Sequence, residues 1–397
     1  MRTVPNRVVV KFGGGELTDG KAYKEAARMV KESGFKEIVV VVSAMKGTTD
    51  NLVKCVSDIG NIEDSDYADI VAMGERTSAR IFSSALKSLG VKSTYLDPQQ
   101  DEWPIITDSN YKDATPNLDE TRRKVRKYLE PMLGDCVPVV CGFIGKDRNN
   151  RITTLGRGGS DITATLLGNC LKANEIILVK NTKGVLSADP KYIPNAKPLE
   201  KITVEEMFSL AQGGAKIIHP EALRYKLPTQ RLRVVGFPGS LTSTGTEIVG
   251  VFSANPVDIR RHHGLAAITL VGDINPITLS KTFQVFDGRK IFGMGTSRNS
   301  LTIFVEVKNP ERVLNKIYSL DYFKAVSLKD KVGAIELVSP KFVDSPGWVA
   351  KVSGALAERG INILEVITNK ASITVFVDED KMEEALTAVK AKISEGA

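Results

Sequence analysis

Short apolar runs alternate with amphipathic stretches over the first part of the chain. The apolar runs at 7–12, 37–42 and 175–179 are typical of buried strands. The stretches at 21–33 and 161–172 have helical periodicity instead. Because strands and helices alternate, the pattern predicts an α/β domain with a mainly parallel sheet sandwiched by helices.

The pattern changes after residue 250. A turn-rich segment at 251–264, which contains a proline, is typical of a linker. The stretches 265–331 and 332–397 that follow each have the order strand, helix, strand, strand, helix. We therefore expect an α/β domain at 1–250, a linker, and two ferredoxin-like α+β modules. The second module stops after its last helix, so its closing strand is either absent or supplied by another part of the chain.

The composition is that of a soluble globular protein, with 42% hydrophobic and 25% charged residues among 397. The apolar runs are shorter than the ~20 residues that a bilayer crossing needs, and the N-terminus lacks the apolar core of a secretory signal. We expect a cytoplasmic protein without a membrane partner.

Charge and metal-ligating residues narrow the classes of ligand. The net charge is +7, but acids are interspersed among the lysines and arginines, which favours small anions such as nucleotides over nucleic acid. The four cysteines have no CxxC spacing, and the three histidines form no ligand pattern. We therefore expect no metal site formed by the protein alone.

Two glycine-rich segments could hold phosphate groups. Lys11, Gly13 and Gly14 directly follow the first apolar run, where glycines let backbone N–H groups approach phosphate oxygens. A glycine turn after a strand is also a common purely structural feature. In the second segment, Ser160 or Asp161 could cap the helix that follows, whose first turn can bind an anion. Arg157, which a capped turn does not explain, could contact a carboxylate or phosphate.

Three weaker clusters have structural alternatives. Ser43 and Thr49 lie after the second apolar run, where ligands often bind in parallel sheets, although a plain turn explains them nearly as well. Glu75 lies in a helical stretch and could be a solvated charge. Lys216 could contact a phosphate, whereas His219, before a proline, is more simply a structural histidine.

The ordered motifs of this chain resemble those of the aspartokinases of the amino-acid kinase superfamily. They include KFGG, SAMKGTTDNL, MGERTSARIFSSALKSLGV, CGFIGKDRNNRITTLGRGGSD, LSADP and EEMFSLAQGGAKIIHPEAL. The segment PGWVAKVSGALAERGINI resembles an ACT regulatory domain, so both C-terminal modules are expected to be ACT-like.

The resemblance implies an ATP-dependent aspartate kinase that uses Mg²⁺ and forms 4-phospho-L-aspartate, toward lysine, threonine and methionine. Lys11 and Asp161 would be catalytic. The substrate would contact Ser43, Thr49, Glu75, Arg157 and Ser160. The nucleotide would contact Lys11, Gly13, Gly14, Lys180, Asn181 and Lys216.

This chain departs from the family pattern beside the phosphates. Where the family has KFGGTS, this chain has Gly15 and Glu16, and where it has Thr-Asp, this chain has Lys180 and Asn181. Leu186 replaces an aromatic residue. The preference between ATP and GTP is therefore open.

The two tail modules also differ. The second has the Pro-Gly turn that precedes the first ACT helix, while the first module lacks it. The resemblance places an amino-acid effector at Asp344, Ser345, Pro346, Gly347 and Asn362. Exposed sheet edges and half-covered faces in such modules predict a homodimer through 265–397.

Two alternatives remain beside an aspartate kinase. A diverged amino-acid kinase could act on another carboxylate or on a phosphate, which Glu16 and Lys180 leave possible. A non-catalytic amino-acid sensor could keep the fold for binding alone. Retention of Lys11, Arg157 and Asp161 together argues against the sensor, because binding alone has no evident need for a phosphoryl-transfer cation.

Overall fold

A computed structural model describes residues 7–212, 218–251, 257–286, 288–339, 342, 346–369 and 371–394. Lys216, Asp344 and Ser345, which the sequence singles out, lie outside the described residues. The chain divides into two compact units, residues 1–252 and 253–397. Each unit is described by itself below.

The first unit alternates strands and helices, as the apolar pattern predicts. Its elements are β1 (Arg7–Phe12), α1 (Gly20–Glu32), β2 (Glu37–Val42), α2 (Thr48–Ile59), α3 (Asp64–Ser88), β3 (Ser93–Leu96), α4 (Leu118–Lys124), β4 (Val137–Cys141), β5 (Ile144–Lys146), β6 (Ile152–Thr154), α5 (Gly159–Leu171), β7 (Glu175–Lys180), β8 (Lys201–Thr203), α6 (Val204–Gln212), α7 (Pro220–Leu223), β9 (Arg231–Gly236) and β10 (Thr246–Val249). None of the helices in the described part of the chain has both the length and the apolar character that a membrane crossing needs.

An eight-stranded sheet forms the centre of this unit. Its strand order is β3-β4-β2-β1-β7-β9-β10-β8. The six neighbouring strands β3, β4, β2, β1, β7 and β9 are parallel, and β10 is antiparallel to β9. Because parallel strands end at the same edge of a sheet, the loops after β1, β2, β4 and β7 meet there. The predicted mainly parallel α/β fold is confirmed.

Helices cover both faces of this sheet. Successive side chains of a strand point to opposite faces, and the end of β1 shows both. Phe12 packs against Phe82 of α3 with ring centroids 5.1 Å apart. Lys11, one residue earlier, contacts Asp161 of α5. Lys11 therefore reaches the helix on the face opposite to α3.

The second unit contains one six-stranded antiparallel sheet with helices. Its elements are β11 (Asp258–Val271), α8 (Pro276–Val285), β12 (Ile291–Thr296), β13 (Ser300–Glu306), α9 (Pro310–Tyr318), β14 (Ala325–Val338), α10 (Trp348–Ala357), β15 (Glu365–Asn369), β16 (Ser372–Asp378) and α11 (Met382–Ser394). The strand order is β12-β13-β11-β14-β16-β15. Both modules have the expected order of elements.

The two long strands β11 and β14 are shared between the modules. Residues 265–271 of β11 pair with β13 in the first module, whereas Asp258–His262 pair with the second half of β14. The second module therefore obtains its missing strand from β11. The end of the linker expected at 251–264 does not agree with the structure, because β11 begins at Asp258.

The helix-free faces of the two modules cover each other. Phe304 of β13 and Phe376 of β16 stack with ring centroids 3.8 Å apart, in a cluster with Leu265, Ala267, Val332 and Ala334. At Gly293 of β12, a Cβ would lie 2.3 Å from the Cδ1 atom of Ile367 in β15. Glycine therefore lets β15 approach the backbone of β12, and the apolar faces are already buried within the chain.

Candidate active site

The loop after β1 is packed too tightly for side chains. At Gly14, a Cβ would lie 2.8 Å from the backbone oxygen of Ala44. At Gly13, a Cβ would lie 2.5 Å from Oε2 of Glu16 and 3.2 Å from Nζ of Lys11. Glycine is needed at position 14, where the neighbour is backbone, whereas at position 13 a side chain would displace the ends of Glu16 and Lys11.

Two lysines and one aspartate form a buried charge cluster at this edge of the sheet. Lys11 Nζ lies 2.7 Å from Asp161 Oδ1, and Lys180 Nζ lies 3.2 Å from Asp161 Oδ2. Burial would raise the pKa of Asp161, but the charges of Lys11 and then Lys180 outweigh it and lower the pKa to about 2. The aspartate is therefore ionised and holds both cations.

Glu75 forms the opposite wall. It lies on α3, and its Oε1 accepts a hydrogen bond from the backbone N–H of Ala44 at 3.1 Å. Its Oε2 is buried and has no hydrogen-bond partner among the described residues. Burial raises the pKa of Glu75 to about 7. An unpartnered buried carboxylate oxygen at this position suits a cationic group of a ligand.

The sequence places Glu75 beside Ala44 through the preceding glycine. At Gly74, a Cβ would lie 2.7 Å from the Cβ of Ala44 and 3.7 Å from Oγ1 of Thr49. A side chain at position 74 would therefore push α3 away from the loop that follows β2. The Gly-Glu pair is a signal that sequence reasoning could have used to favour a ligand role over a solvated charge.

The start of α5 completes the enclosure. Gly158 precedes the helix with φ of 71°, and Gly159, Ser160 and Asp161 form the buried first turn. At Gly159, a Cβ would lie 2.6 Å from Cδ2 of Phe143, so the aromatic ring lies against this turn. The glycines thus bring the helix N-terminus, a favourable position for anions, next to the charge cluster.

A cavity of about 270 Å³ lies between these walls. It is lined by Lys11, Ser43, Thr49, Glu75, Phe143, Gly156, Gly158, Gly159, Ser160 and Asp161. Six of these residues were predicted from the sequence as site residues, and the structure brings them together. Phe143 was missed. Its φ of 68° is unusual for a non-glycine residue and marks a constrained backbone at the cavity.

Of the other predicted residues, Gly13, Gly14 and Lys180 do not line the cavity, and two more are exposed. Arg157 is exposed and does not line the cavity, although Gly156 and Gly158 on either side of it do. Asn181 is also exposed, and its side chain donates a hydrogen bond to the backbone oxygen of Gly15 at 3.2 Å. Lys216 lies outside the described residues. The structure therefore does not place Arg157 where a bound substrate would contact it.

The two tail modules differ at the start of their first helices. In the first module, the side chain of Asn275 accepts hydrogen bonds from the N–H groups of Ile277 and Thr278, each at 3.0 Å. In the second module, Gly347 precedes α10 with φ of 91° and supplies no side-chain cap. Pro346, Gly347 and Asn362 are exposed. Among the described residues, a side chain therefore caps the first helix of the first module, and Gly347 supplies none in the second.

Comparison with known proteins matches both units. Residues 6–235 match the model of the amino acid kinase family, and residues 327–391 match an ACT domain model. An aspartokinase of Mycolicibacterium smegmatis is 28% identical over 96% of this chain and 94% of its own length. One of Corynebacterium glutamicum has the same identity and the same coverage.

Solved structures extend the likeness to the fold. The crystal structure of aspartate kinase from Synechocystis aligns with a TM-score of 0.79 and 26% identity, over 97% of this chain and 69% of that one. E. coli aspartokinase III in complex with aspartate and ADP aligns with a TM-score of 0.57 over 97% of this chain and 99% of that one. At 20% identity, the second match concerns the fold alone.

Proposed function

This chain belongs to the amino acid kinase family, and we propose that it transfers the γ-phosphoryl group of ATP to the side-chain carboxylate of L-aspartate. Its similarity to aspartokinases along almost the whole chain supports an aspartate kinase, a phosphotransferase with a carboxyl group as acceptor. The product of this reaction is 4-phospho-L-aspartate.

The arrangement of charges around the cavity carries this proposal. Lys11 and the first turn of α5 offer positive charge and backbone N–H groups at one end, which suits phosphate oxygens. Glu75, which also lines the cavity, offers an oxygen without a hydrogen-bond partner among the described residues, and this suits the α-ammonium group of an amino acid. An amino acid can therefore bind with its side chain directed at the phosphates.

The chemistry needs no general base. The side-chain carboxylate of aspartate is already ionised at neutral pH. One of its oxygens forms a bond to the γ-phosphorus while the bond from that phosphorus to the bridging oxygen breaks, and ADP leaves with the electron pair. Lys11 stabilises the charge on the transferring group, and Asp161 holds Lys11 in place.

Nucleotide phosphates would bring Mg²⁺ into the site. The described residues contain no group of three His, Cys, Asp or Glu that could hold a metal ion by itself, whereas Mg²⁺ commonly uses one carboxylate and substrate phosphates. Asp161, an ionised carboxylate among the phosphate-facing groups, fits that role. When bound, the ion would neutralise charge on the β- and γ-phosphates.

The remaining contacts are also part of the proposal. We place the substrate against Ser43, Thr49, Glu75 and Ser160, with Arg157 folding inward onto the α-carboxylate. The phosphates lie on Lys11, Gly13, Gly14 and Lys180, and the rest of the nucleotide lies toward Asn181 and Lys216. For Arg157 this requires a movement of an exposed side chain on substrate binding.

The activity is tested by trapping the acyl phosphate. Purified protein is incubated with ATP, Mg²⁺, hydroxylamine and each acidic amino acid, and hydroxamate formation is measured. An aspartate kinase forms hydroxamate with L-aspartate. A diverged kinase would prefer another acceptor, and a sensor would bind amino acids without ATP turnover. Only hydroxamate formation from L-aspartate supports the proposal.

Regulation and assembly are proposed on the second unit. An amino-acid effector would bind near Pro346, Gly347 and Asn362, with Asp344 and Ser345, because the N-cap residue Gly347 has no side chain to occupy the helix N–H groups. A homodimer would form through the sheet edges β12 and β15 rather than through the helix-free faces, because these faces already cover each other.

The product would enter the synthesis of lysine, threonine and methionine, as the family resemblance implies. We also propose that the enzyme works in the cytoplasm. All four cysteines are free, and two of them, Cys141 and Cys170, are buried. Free thiols and use of ATP are both consistent with a reducing compartment.

A further inference from the structure

We propose that Lys180 is a second catalytic cation, which contacts the transferring γ-phosphoryl group. Glu16 is then a positioning residue, whose negative charge offsets the repulsion between Lys180 and Lys11. This inference rests on the proposed phosphoryl transfer. It gives Lys180 a role in the reaction itself, beyond holding the phosphates of the bound nucleotide.

The position of Lys180 follows from the pairing of β1 with β7. In this parallel pair, Lys11 lies opposite Leu178 and Phe12 lies opposite Val179. Lys180 is the next residue of β7 and therefore lies level with the start of the glycine loop. Two strands far apart in sequence thus bring two lysines to the same edge, on either side of one carboxylate.

Asp161 leaves both lysines free to make further contacts. Lys11 and Lys180 approach different oxygens of its carboxylate, Oδ1 at 2.7 Å and Oδ2 at 3.2 Å. An ammonium group has three N–H donors; Lys180 donates one to Asp161 Oδ2, and Lys11 is in ion-pair contact with Oδ1. The side chain of Lys180 is 20% exposed, whereas that of Lys11 is 7% exposed. Lys180 is therefore the more accessible of the two to an arriving phosphate.

Glu16 lies on the other side of Lys11. It is only 5% exposed, and its Oε2 and the Nζ of Lys11 both lie close to the point where a Cβ of Gly13 would be. Neither Glu16 nor Lys180 lines the cavity itself, but the negative charge of Glu16 would repel a phosphate, whereas the positive charge of Lys180 would attract one. A buried carboxylate requires a nearby positive charge, and Lys11 provides it.

Both residues occupy positions at which this chain departs from the resembled family pattern. That pattern has a serine at position 16 and a threonine at position 180, both uncharged. Here position 16 has an acid and position 180 has a base. The charge of Glu16 raises the pKa of Lys11, and the charge of Lys180 lowers it. The charges of Glu16 and Lys180 therefore offset each other at Lys11, while Asn181, in place of the aspartate of the family pattern, leaves one negative charge fewer at this edge of the sheet.

The step that Lys180 affects is identified by which nucleotides it helps to bind. ADP lacks a γ-phosphate, whereas a non-hydrolysable ATP analogue such as AMP-PNP has one. A lysine that contacts the γ-phosphoryl group contributes to binding of the analogue and still more to the transition state. It contributes little to binding of ADP. A lysine that contacts the ribose or base would affect both nucleotides equally.

The experiment compares Lys180→Thr, Glu16→Ser and the double variant with wild type, with Lys201→Thr as a control. Lys201 is an exposed lysine at the start of β8, so its replacement removes the same charge away from the cavity. We measure kcat, the Kd for ADP and for AMP-PNP by calorimetry, and the thermal midpoint of each protein.

We expect Lys180→Thr to lower kcat about 100-fold, to weaken AMP-PNP binding about 10-fold and to leave the Kd for ADP within about 3-fold of wild type. Lys180→Arg, which keeps the charge, should recover part of kcat. Equal losses of ADP and AMP-PNP affinity would overturn the catalytic role, and so would an unchanged kcat.

Glu16→Ser alone should lower kcat about 10-fold, because Lys11 then faces Lys180 without compensation. The double variant should lose no more than Lys180→Thr alone, since Glu16 has nothing to offset once Lys180 is removed. Losses that multiply to about 1000-fold would overturn the positioning role. If wild-type protein forms no hydroxamate with L-aspartate, the proposed function fails, while the comparison of ADP with AMP-PNP still decides where Lys180 acts.

Discussion

The backbone N–H of Ala44 donates a hydrogen bond to Glu75 Oε1, and the buried Oε2 has no partner in the part of the chain that the structure describes. This relationship joins the loop after β2 to the helix α3 and fixes the direction in which Glu75 points. Its free oxygen is the feature that most clearly separates an amino-acid site from a plain nucleotide site. The first prediction follows from it.

Glu75→Gln should raise the KM for aspartate more than about 10-fold and affect kcat less, because the amide lacks the charge that pairs with the ammonium group. In wild type, kcat/KM for aspartate should rise with pH through about 7, as Glu75 becomes ionised. The pH profile of Glu75→Gln should lack this step. A step that persists in the variant would assign the titration to another group.

Glu75 also links stability to pH. Burial raises the pKa of Glu75 in the folded state from its ordinary value of 4.5 to about 7, so between these pH values the folded state holds a proton that the unfolded state has lost. Its contribution is complete below about pH 4.5 and is lost as the pH rises through 7. Wild type should therefore lose roughly 3 kcal/mol over this window relative to Glu75→Gln, as measured by denaturant titration at each pH.

Lys11→Ala and Asp161→Ala should each lower kcat at least about 1000-fold. Both side chains are buried and paired with each other. Asp161→Ala should therefore also destabilise the protein, because it leaves two lysines without their shared carboxylate. Calorimetric midpoints show whether Asp161→Ala is the less stable variant, and a kcat near wild type would exclude a catalytic role.

Arg157→Lys should raise the KM for aspartate about 10-fold, because a lysine cannot form the two-pronged contact of a guanidinium with a carboxylate. The thermal midpoint should not change, since the side chain is exposed in the ligand-free protein. Steady-state kinetics and calorimetry on the same preparation test both statements. An unchanged KM would show that Arg157 does not fold onto the substrate.

Discrimination between ATP and GTP should be less than about 100-fold in kcat/KM. The side chain of Asn181 is exposed and donates a hydrogen bond to the backbone oxygen of Gly15. Leu186 offers no aromatic surface on which a base could stack. Phosphate contacts should therefore supply most of the nucleotide affinity. Parallel assays with both nucleotides measure the ratio, and a preference above about 100-fold would mean that other groups read the base.

An amino-acid effector should bind only to the second module. Titration calorimetry with lysine, threonine and methionine should detect binding that Asp344→Ala removes. Asp273→Ala is the matched control, since Asp273 already accepts a hydrogen bond from the capping residue Asn275 of the first module. Binding that survives Asp344→Ala, or that is lost with Asp273→Ala, would move the site away from the second module.

The sequence predicted much of this molecule because the relevant signals are local. Apolar runs specify the parallel strands, and the carboxyl ends of parallel strands meet at one edge. Motifs after β1 and before α5 could therefore be expected to converge, and the structure confirms the contact between Lys11 and Asp161. Gly14 and Gly159, beside these two residues, lie where a side chain would collide with a neighbouring segment.

Other features depend on relationships that a single sequence does not contain. The contact of Lys180 with Asp161 requires the register of β7 against β1. The exposure of Arg157 depends on two glycines with positive φ on either side of it. The left-handed backbone of Phe143 contradicts the ordinary preference of an aromatic residue and arises from packing against α5.

The sharing of β11 and β14 makes the two ACT-like modules a single folding unit. Residues 258–262 complete the sheet of the second module, although they precede the first module in sequence. If either module unfolded, the other would therefore have an unpaired strand edge. A fragment that starts at residue 332 would lack a strand and would expose the ring of Phe376. A shift of β11 or β14 in one module therefore moves the same strand in the other module. Both modules should change conformation together when an effector binds.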